Sequence, residues 1–488
     1  MIRNQLHTWH LLTFVRAEAS LYKINRSVRW GIIPIFVILL LIFRAGFVFA
    51  SFTIEEEKKL GKEFYEKLEK SDVLIRNDKV NAYITHLGQK ILAQSQKVPF
   101  DFRFSVIKSG AINAFATPGG YVYVNRGLIN LVENESELAG VLAHEIAHVN
   151  ARHIASLIER SQKLGIASLA AILAGAFLGG GGELTAAITS FSLATATSLN
   201  LSYSREHEEE ADRLGLHYLV NAGYNGAAML DFLKTMRRYE FYSNSVPSYF
   251  LTHPGTDERI RYLDAAIQTT HLRAGEHSII GNLKRIQTIL MFGERNLEVS
   301  FNHFQNDLKK NPEDVDALYG LAVTQEKLGR TTDSLATFHK ALALSPADED
   351  ILRDMGILYY KIGSPSEAVQ LLLRASHIDE KNNDTLLYLG RSYEASSDYS
   401  AALAIYKKLL RENSKEADIY YNIAMAYGKT QNPGESHYYF GIHFKMTKRA
   451  DSAVFHFKAA LNHFSEQSDR YREIENEIKS LTRGGEIR

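Results

Sequence analysis

The chain has 488 residues, 45% of them hydrophobic, and it carries 56 basic and 56 acidic side chains. This composition is typical of a globular protein long enough for more than one domain, and the neutral balance, with no basic aromatic-rich patch, argues against a nucleic-acid partner. Cysteine is absent, which excludes disulfides, a thiolate nucleophile and cysteine-ligated zinc. A metal would have to be held by histidine and carboxylate side chains.

Residues 1–50 resemble a membrane-targeting segment. They hold six Lys or Arg against one acid, and an apolar run extends from Trp30 to Phe43. This run is shorter than the ~20 residues of a spanning helix, and Val48-Phe49-Ala50 resembles a cleavage site. We expect a signal peptide cleaved after Ala50, with an uncleaved anchor over residues 30–52 as the alternative. Either one places the remaining chain outside the cytoplasm.

The next stretch predicts helices and then a small sheet. Helical spacing of apolar residues covers 54–70 and 80–93, whereas alternation at 100–107 and the turn Pro118-Gly119-Gly120 between 112–117 and 121–124 indicate strands. Proteases commonly bind substrate as an added strand at a sheet edge. Our candidate edge is residues 113–116, including Asn113, Ala114 and Phe115, with an internal hairpin as the alternative.

The sequence His144-Glu145-Ile146-Ala147-His148 places two histidines four residues apart. In a helix both imidazoles lie on one face, one turn apart, so they can bind one ion beside Glu145. Asn134 is the expected N-cap, and no proline interrupts the helical pattern before Arg160. The spacing therefore predicts part of a zinc-hydrolase site.

An apolar stretch over 164–178 is followed by four glycines at 179–182 and by an Ala- and Ser-rich stretch over 184–201. The simpler interpretation is a pair of buried helices. The alternative is a movable lid hinged at the glycines, because four consecutive glycines are costly in a fixed element. In that case residues 164–202 would make a peripheral membrane contact.

A third metal ligand is expected on the helix that opens at Ser204-Arg205. A catalytic zinc takes three protein ligands and leaves one position open, and a glutamate from a separate helix completes a His-His-Glu set. Acidic residues also favour a helix's first turn without any metal. With His144 and His148 upstream, we favour the metal, and Asp212 lies one turn beyond Glu208, where it could orient a ligand.

These motifs resemble the HExxH and SRxxExxAD pair of the CaaX-prenyl-protease and HtpX-type zinc peptidases, over about residues 51–270. The resemblance implies a gluzincin-like metalloendopeptidase with one zinc per chain on His144, His148 and Glu208. For an exported protein of this kind, the resemblance implies a role in periplasmic quality control or in the assembly of outer-membrane proteins.

Relatives also carry a Thr-His-Pro segment like Thr252-His253-Pro254, followed by Arg-Ile as at Arg259-Ile260. Two roles for His253 follow from the resemblance. It could be a reversible fourth zinc ligand that keeps the enzyme latent, or it could hydrogen-bond the developing oxyanion. An ordinary loop histidine is the alternative.

From residue 281 the chain becomes repetitive, with Pro312 and Pro346 34 residues apart. The same period aligns apolar positions through several units that begin at 315, 349 and 383, and this pattern resembles tetratricopeptide repeats. We expect a repeat domain over 281–466 and a capping helix and tail over 467–488. Stacked repeats form a concave surface that suits peptides or protein partners.

The expected fold is α+β and mostly α, namely a zinc-peptidase domain with a small sheet followed by an α-solenoid. The expected function is hydrolysis of peptide bonds in misfolded or assembling proteins, with Glu145 as general base and the repeats recruiting substrate or partner. The competing function is a repeat scaffold or chaperone with a latent peptidase domain. A zinc hydrolase acting on other substrates fits the predicted edge strand and repeats less well.

Overall fold

The computed structural model describes residues 52–160, 166–178, 202–243, 246–270, 275–293, 296–412 and 416–483. The chain divides into two compact units, one of residues up to Asn77 plus Ile84–Ile279, the other of Asp78–Tyr83 plus residues from Ile280 onward. Within the described ranges, no helix combines the length and apolarity needed to cross a membrane.

The described part of the chain up to Thr270 forms ten helices and three strands in the order α1–α2–β1–β2–β3–α3 to α10. The helices are α1 Ile54–Lys70, α2 Asp78–Leu92, α3 Arg126–Leu131, α4 Glu135–Asn150, α5 His153–Arg160, α6 Ile166–Leu178, α7 Arg205–Asn221, α8 Ala227–Ser243, α9 Ser248–Thr252 and α10 Thr256–Thr270. The strands are β1 Arg103–Ile107, β2 Ala114–Thr117 and β3 Tyr121–Asn125.

The sheet has the order β1-β3-β2, so the described sheet has β2 at one edge. β1 pairs with β3 in parallel, and β2 pairs with β3 as an antiparallel hairpin with Phe115 opposite Tyr123. Phe64 of α1 packs edge-on against both of these rings. α6 lies in the same hydrophobic core, with Phe177 buried. The structure thus favours the buried interpretation for residues 166–178.

Local sequence explains where α4 begins and ends. The Asn134 side chain accepts a hydrogen bond from the Glu137 backbone N–H at 3.1 Å, which satisfies one free amide of the first turn. No proline marks a break before Arg160, yet the helix ends at Asn150 and Arg152 adopts a left-handed φ of 55°. A new helix, α5, begins at His153.

The second unit is helical in every described element from residue 283 onward. Its helices are α11 Leu283–Met291, α12 Leu297–Lys310, α13 Val315–Lys327, α14 Thr331–Leu344, α15 Glu349–Lys361, α16 Pro365–Ile378, α17 Asn383–Ala395, α18 Tyr399–Glu412, α19 Ala417–Lys429, α20 Pro433–Met446, α21 Ala450–Leu461 and α22 Asp469–Arg483. Each repeat buries apolar side chains at the same positions, as with the series Phe338, Leu372 and Tyr406. Stacking of neighbouring helix pairs supplies the core that one pair lacks.

The α+β, mostly helical class with a small sheet and a helical repeat region is confirmed. The proposed domain boundaries at 51–270, 281–466 and 467–488 stay predictions. The targeting segment over 1–50, the glycine hinge at 179–182 and the stretch 184–201 lie outside the described residues.

Candidate metal centre

His144 and His148 lie one turn apart on α4, and both side chains are buried. Their Nε2 atoms are 2.9 Å apart. This is the consequence of i, i+4 spacing on a helix, which aligns two side chains on one face. The predicted helical arrangement of the two histidines is present in the structure.

Glu208 reaches the same point from α7, which packs against α4. The Ser204 side chain caps α7 by accepting a hydrogen bond from the His207 backbone N–H at 3.2 Å. Glu208 Oε2 lies 3.4 Å from His144 Nε2, and Oε1 lies 3.5 Å from His148 Nε2. The carboxylate is buried. The helix dipole, which favours acidic residues in an exposed first turn, therefore does not by itself explain its position.

His253 follows α9 and joins the cluster from a third segment. Its Nδ1 lies 3.3 Å from His144 Nε2 and 3.1 Å from Glu208 Oε1. The ring stacks on Tyr249 at 4.2 Å between centroids, and it is fully buried. The alternative of an exposed loop histidine is therefore wrong.

Ligand atoms of His144, His148, Glu208 and His253 all lie within 4.8 Å of one another. A tetrahedral zinc site with bonds of ~2.0–2.1 Å places its ligand atoms about 3.3 Å apart. The five distances given above span 2.9–3.5 Å. Three imidazole nitrogens and one carboxylate oxygen are a ligand set that zinc prefers, so these residues fit the ion.

Asp212 and Arg259 contact the clustered side chains His144 and Glu208 and hold them in place. Asp212 Oδ1 lies 2.8 Å from His144 Nδ1, and Arg259 donates two hydrogen bonds of 2.7 Å to the Asp212 carboxylate. Arg259 Nη1 also lies 2.7 Å from Glu208 Oε2, and the Tyr262 hydroxyl donates to Asp212. Asp212 thus lies where an orienting residue was predicted.

Neighbouring charges determine the ionisation of Asp212 and of the two histidines. Burial alone would raise the pKa of Asp212, but Arg259 and His144 lower it to about 2. Burial and Arg259 lower the pKa of His144, yet Asp212 and Glu208 outweigh them and raise it to about 9. Burial and the neighbouring His144 hold the pKa of His148 well below its ordinary value. The carboxylates thus favour a cation, whether a proton or a metal, beside His144.

Glu145 is fully buried beside the ligand atoms, with Oε1 3.5 Å from His253 Nε2. Within the described residues, neither of its carboxylate oxygens has a hydrogen-bond partner. Burial raises the pKa of Glu145, and His253 and His144 oppose that change. A buried carboxylate without a partner is costly, which is consistent with a position that must meet water and substrate.

The candidate substrate edge lies beside the metal helix. Asn113 precedes β2 and donates to the backbone oxygen of Phe177 at 3.3 Å, and the Phe115 ring stacks on Phe177 at 4.7 Å. Ala114 is buried in the same strand. β2 is the edge strand of the described sheet, whereas its use by substrate stays a prediction.

The sequence assigned no role to Arg259, although the resemblance drew attention to its segment. His153 and Tyr203 were not predicted as residues of the site. The Tyr203 ring stacks on His148 at 3.8 Å, and His153 Nδ1 lies 2.8 Å from His148 Nδ1. The available signal for His153 was a histidine five residues after His148, but only the unexpected helix break brings the two rings together.

Comparison with known proteins agrees with this geometry. Residues 75–267 match peptidase family M48, and residues 284–449 match the N-terminal TPR repeats region of Psidin. The range that holds the four clustered side chains is therefore similar to M48 metallopeptidases. The repeat region that follows it is of the tetratricopeptide type.

Similar curated proteins include β-barrel assembly-enhancing proteases. That of Yersinia pestis is 34% identical over 212 residues, covering 43% of this chain and 44% of the relative. That of Escherichia coli K12 is 33% identical over 215 residues, with the same two shares. Mitochondrial metalloendopeptidase OMA1 of Schizosaccharomyces pombe is 29% identical over 219 residues, 44% of this chain and 62% of that protein. The chain spans about half the length of its bacterial relatives.

Proposed function

We propose that this protein is a zinc-dependent endopeptidase that hydrolyses peptide bonds in protein substrates. The observation that carries the proposal is the buried cluster of His144, His148, Glu208 and His253 with Glu145 beside it. The M48 domain supports the same activity class. The alternative is a network of ion pairs that binds no metal. In that case several imidazoles would pack against one another without the ion that explains their spacing.

When bound, zinc would supply Lewis acidity to water and to the scissile carbonyl. The protein groups do the remaining work. Glu145 takes a proton from the attacking water and later returns it to the leaving amine. Asp212 accepts the Nδ1–H of His144 and so presents Nε2 toward the ion, while Arg259 keeps Asp212 and Glu208 ionised and in place.

The position of His253 favours its role as a fourth ligand. Its Nδ1, and not only its distal Nε2, lies among the ligand atoms, within 3.3 Å of His144 and Glu208. Four protein ligands make a closed zinc site, whereas catalysis needs an open position. We propose that this arrangement is the latent state. The same observation supports the second candidate function, a repeat scaffold or chaperone whose peptidase turns over rarely.

The first experiment separates metal binding from catalysis. Glu145→Gln should retain near-stoichiometric zinc by elemental analysis but cleave casein ~10²–10⁴-fold more slowly, because it lacks the general base. Glu208→Ala should lose zinc, whereas Glu209→Ala, on the exposed side of the same helix, should keep it. Undiminished cleavage by pure Glu145→Gln would contradict the mechanism, as would wild-type protein that binds no zinc.

The second experiment concerns His253. His253→Ala should keep zinc on the remaining three ligands and increase chelator-sensitive casein cleavage, because the fourth position becomes available. The opposite result, retained zinc with a lower kcat, would instead assign His253 to oxyanion stabilisation. Wild-type protein and the variant would be compared as full chains under identical conditions.

For the biological setting, we propose a periplasmic protein that acts on misfolded or assembling outer-membrane proteins, with the repeat region binding substrate or a partner. The similarity to bacterial β-barrel assembly-enhancing proteases and the presence of a TPR-type region support this proposal. Fractionation of cells expressing the native chain tests the location. Recovery in the cytoplasm would contradict it.

A further inference from the structure

The histidine that follows the helix break contacts a proposed metal ligand on the side away from the ion. His148 Nδ1 and His153 Nδ1 lie 2.8 Å apart, and both side chains are buried. On the other side of its ring, His153 Nε2 lies 3.3 Å from Glu210 Oε2. The three side chains form a continuous series that leads outward from the proposed metal centre to a half-exposed carboxylate.

This contact depends on backbone geometry. Each residue of a continuous helix turns by about 100°, so residues five apart would point about 140° away from each other. Arg152, with its left-handed φ of 55°, ends α4 and redirects the chain so that His153 folds back. Non-glycine residues seldom adopt this conformation. Hydrogen bonds from Arg152 to Glu57 and to the Phe52 carbonyl, both 2.6 Å, hold the turn in place.

The hydrogen-bonding directions are determined by chemistry. If His148 binds the ion through Nε2, its Nδ1 carries the proton and donates to His153 Nδ1. His153 must then carry its own proton on Nε2, where Glu210 accepts it. Aromatic stacking fixes both ring planes, because Tyr203 covers His148 at 3.8 Å and His207 covers His153 at 4.3 Å. Each imidazole thus has one tautomer that satisfies both of its nitrogens.

We propose that His153 is a positioning residue of the metal centre: it accepts the Nδ1–H of His148, and Glu210 fixes the tautomer that allows it to do so. This inference rests on the proposed metalloprotease function. It makes the two histidine ligands unlike, since His144 donates to the ionised Asp212, whereas His148 donates to a neutral ring. Removing such a partner of a metal ligand typically lowers metal affinity 10–100-fold.

The test measures zinc affinity by competition with a chromophoric chelator on the full chain. His153→Phe keeps a ring of similar size but has no acceptor, and it should lower affinity ~10–100-fold. His153→Asn places an amide oxygen near the position of Nδ1 and should recover most of that loss. The matched control is His217→Phe, because His217 is an exposed histidine of α7 that bonds Asn221. It should bind zinc like the wild type.

Several results would overturn the inference. Wild-type affinity in His153→Phe would remove the positioning role. Equal losses in His153→Phe and His153→Asn would show that the ring's packing, not its acceptor, matters. Because Asn is smaller and Phe is matched in size, thermal melting of the chelator-treated variants separates packing from hydrogen bonding. If wild-type protein itself takes up no zinc, the proposed metal centre fails, which is distinct from failure at His153 alone.

Discussion

Gly215 sets the distance between the two helices that supply three of the proposed ligands. It lies on the face of α7 that also carries Glu208 and Asp212, seven and three residues earlier. A Cβ atom at Gly215 would lie 3.0 Å from the His144 backbone nitrogen and 3.1 Å from the Ala143 carbonyl carbon. Optimal contacts of this kind are ~3.5–4.0 Å, so Gly215→Ala must move α7 and α4 apart by about 0.5 Å.

The magnitude follows from two opposing effects. Overpacking costs ~1–3 kcal/mol, whereas alanine improves helix propensity over glycine by ~1 kcal/mol. We expect Gly215→Ala to lower the free energy of unfolding by about 1 kcal/mol and to weaken zinc binding, because Glu208 moves away from His144. In the matched control, Gly175→Ala, an added Cβ on an exposed helical residue meets no atom of the described residues within 4 Å, so stability should rise by up to ~1 kcal/mol.

Urea denaturation of chelator-treated protein gives the stability difference, and chelator competition gives the zinc affinity. If Gly215→Ala is as stable as wild type and binds zinc equally well, the helix contact does not set the ligand geometry and the reasoning is refuted. A loss of stability in Gly175→Ala as large as that in Gly215→Ala would also refute it, because the cost would then come from helical glycine replacement in general.

Two further predictions concern stability. Asn134→Ala removes the cap of α4, in which Oδ1 accepts from the Glu137 N–H at 3.1 Å, and should cost about 1 kcal/mol in urea denaturation; no change would show that the cap is not needed. Burial raises the pKa of Asp350, but Arg353, Lys79 and Arg285 lower it to about 2. The ionised carboxylate therefore stabilises the second unit above the unfolded pKa of 3.8, and this stabilisation is lost as pH falls toward 2. Asp350→Asn should cost about 2 kcal/mol at pH 7, and a deficit that does not shrink in acid would contradict the assignment.

The elements that were predictable are those encoded by local spacing. Helical periodicity and the four-residue interval placed His144 and His148 on one helix face, and a period of 34 residues identified the repeats. Glu208 was predictable as a ligand only because a separate motif had already supplied the two histidines. For the two histidines and the repeats, the relevant information lies within a short stretch or recurs along the chain, whereas Glu208 needed two separate motifs.

The unpredicted elements depend on tertiary contacts. Arginine is not one of the residue types that indicate a left-handed turn. The sequence therefore gave no signal for the break before His153. The conformation is held instead by Glu57 and Phe52, about a hundred residues away. Arg259 likewise reads as an ordinary basic residue of α10. Only the fold places it against two buried carboxylates.

Charge balance explains why this arrangement suits a divalent ion. Glu145, Glu208 and Asp212 are buried carboxylates, and Arg259 is the buried guanidinium that contacts two of them. With all four ionised and the histidines neutral, as they must be when they bind an ion, these groups carry a net charge of about −2. Uncompensated buried charge is expensive. A dication removes the imbalance, whereas replacing Arg259 by a neutral residue would leave one negative charge uncompensated even with the ion bound. Arg259 is therefore as much a part of the metal centre's electrostatics as the ligands it contacts.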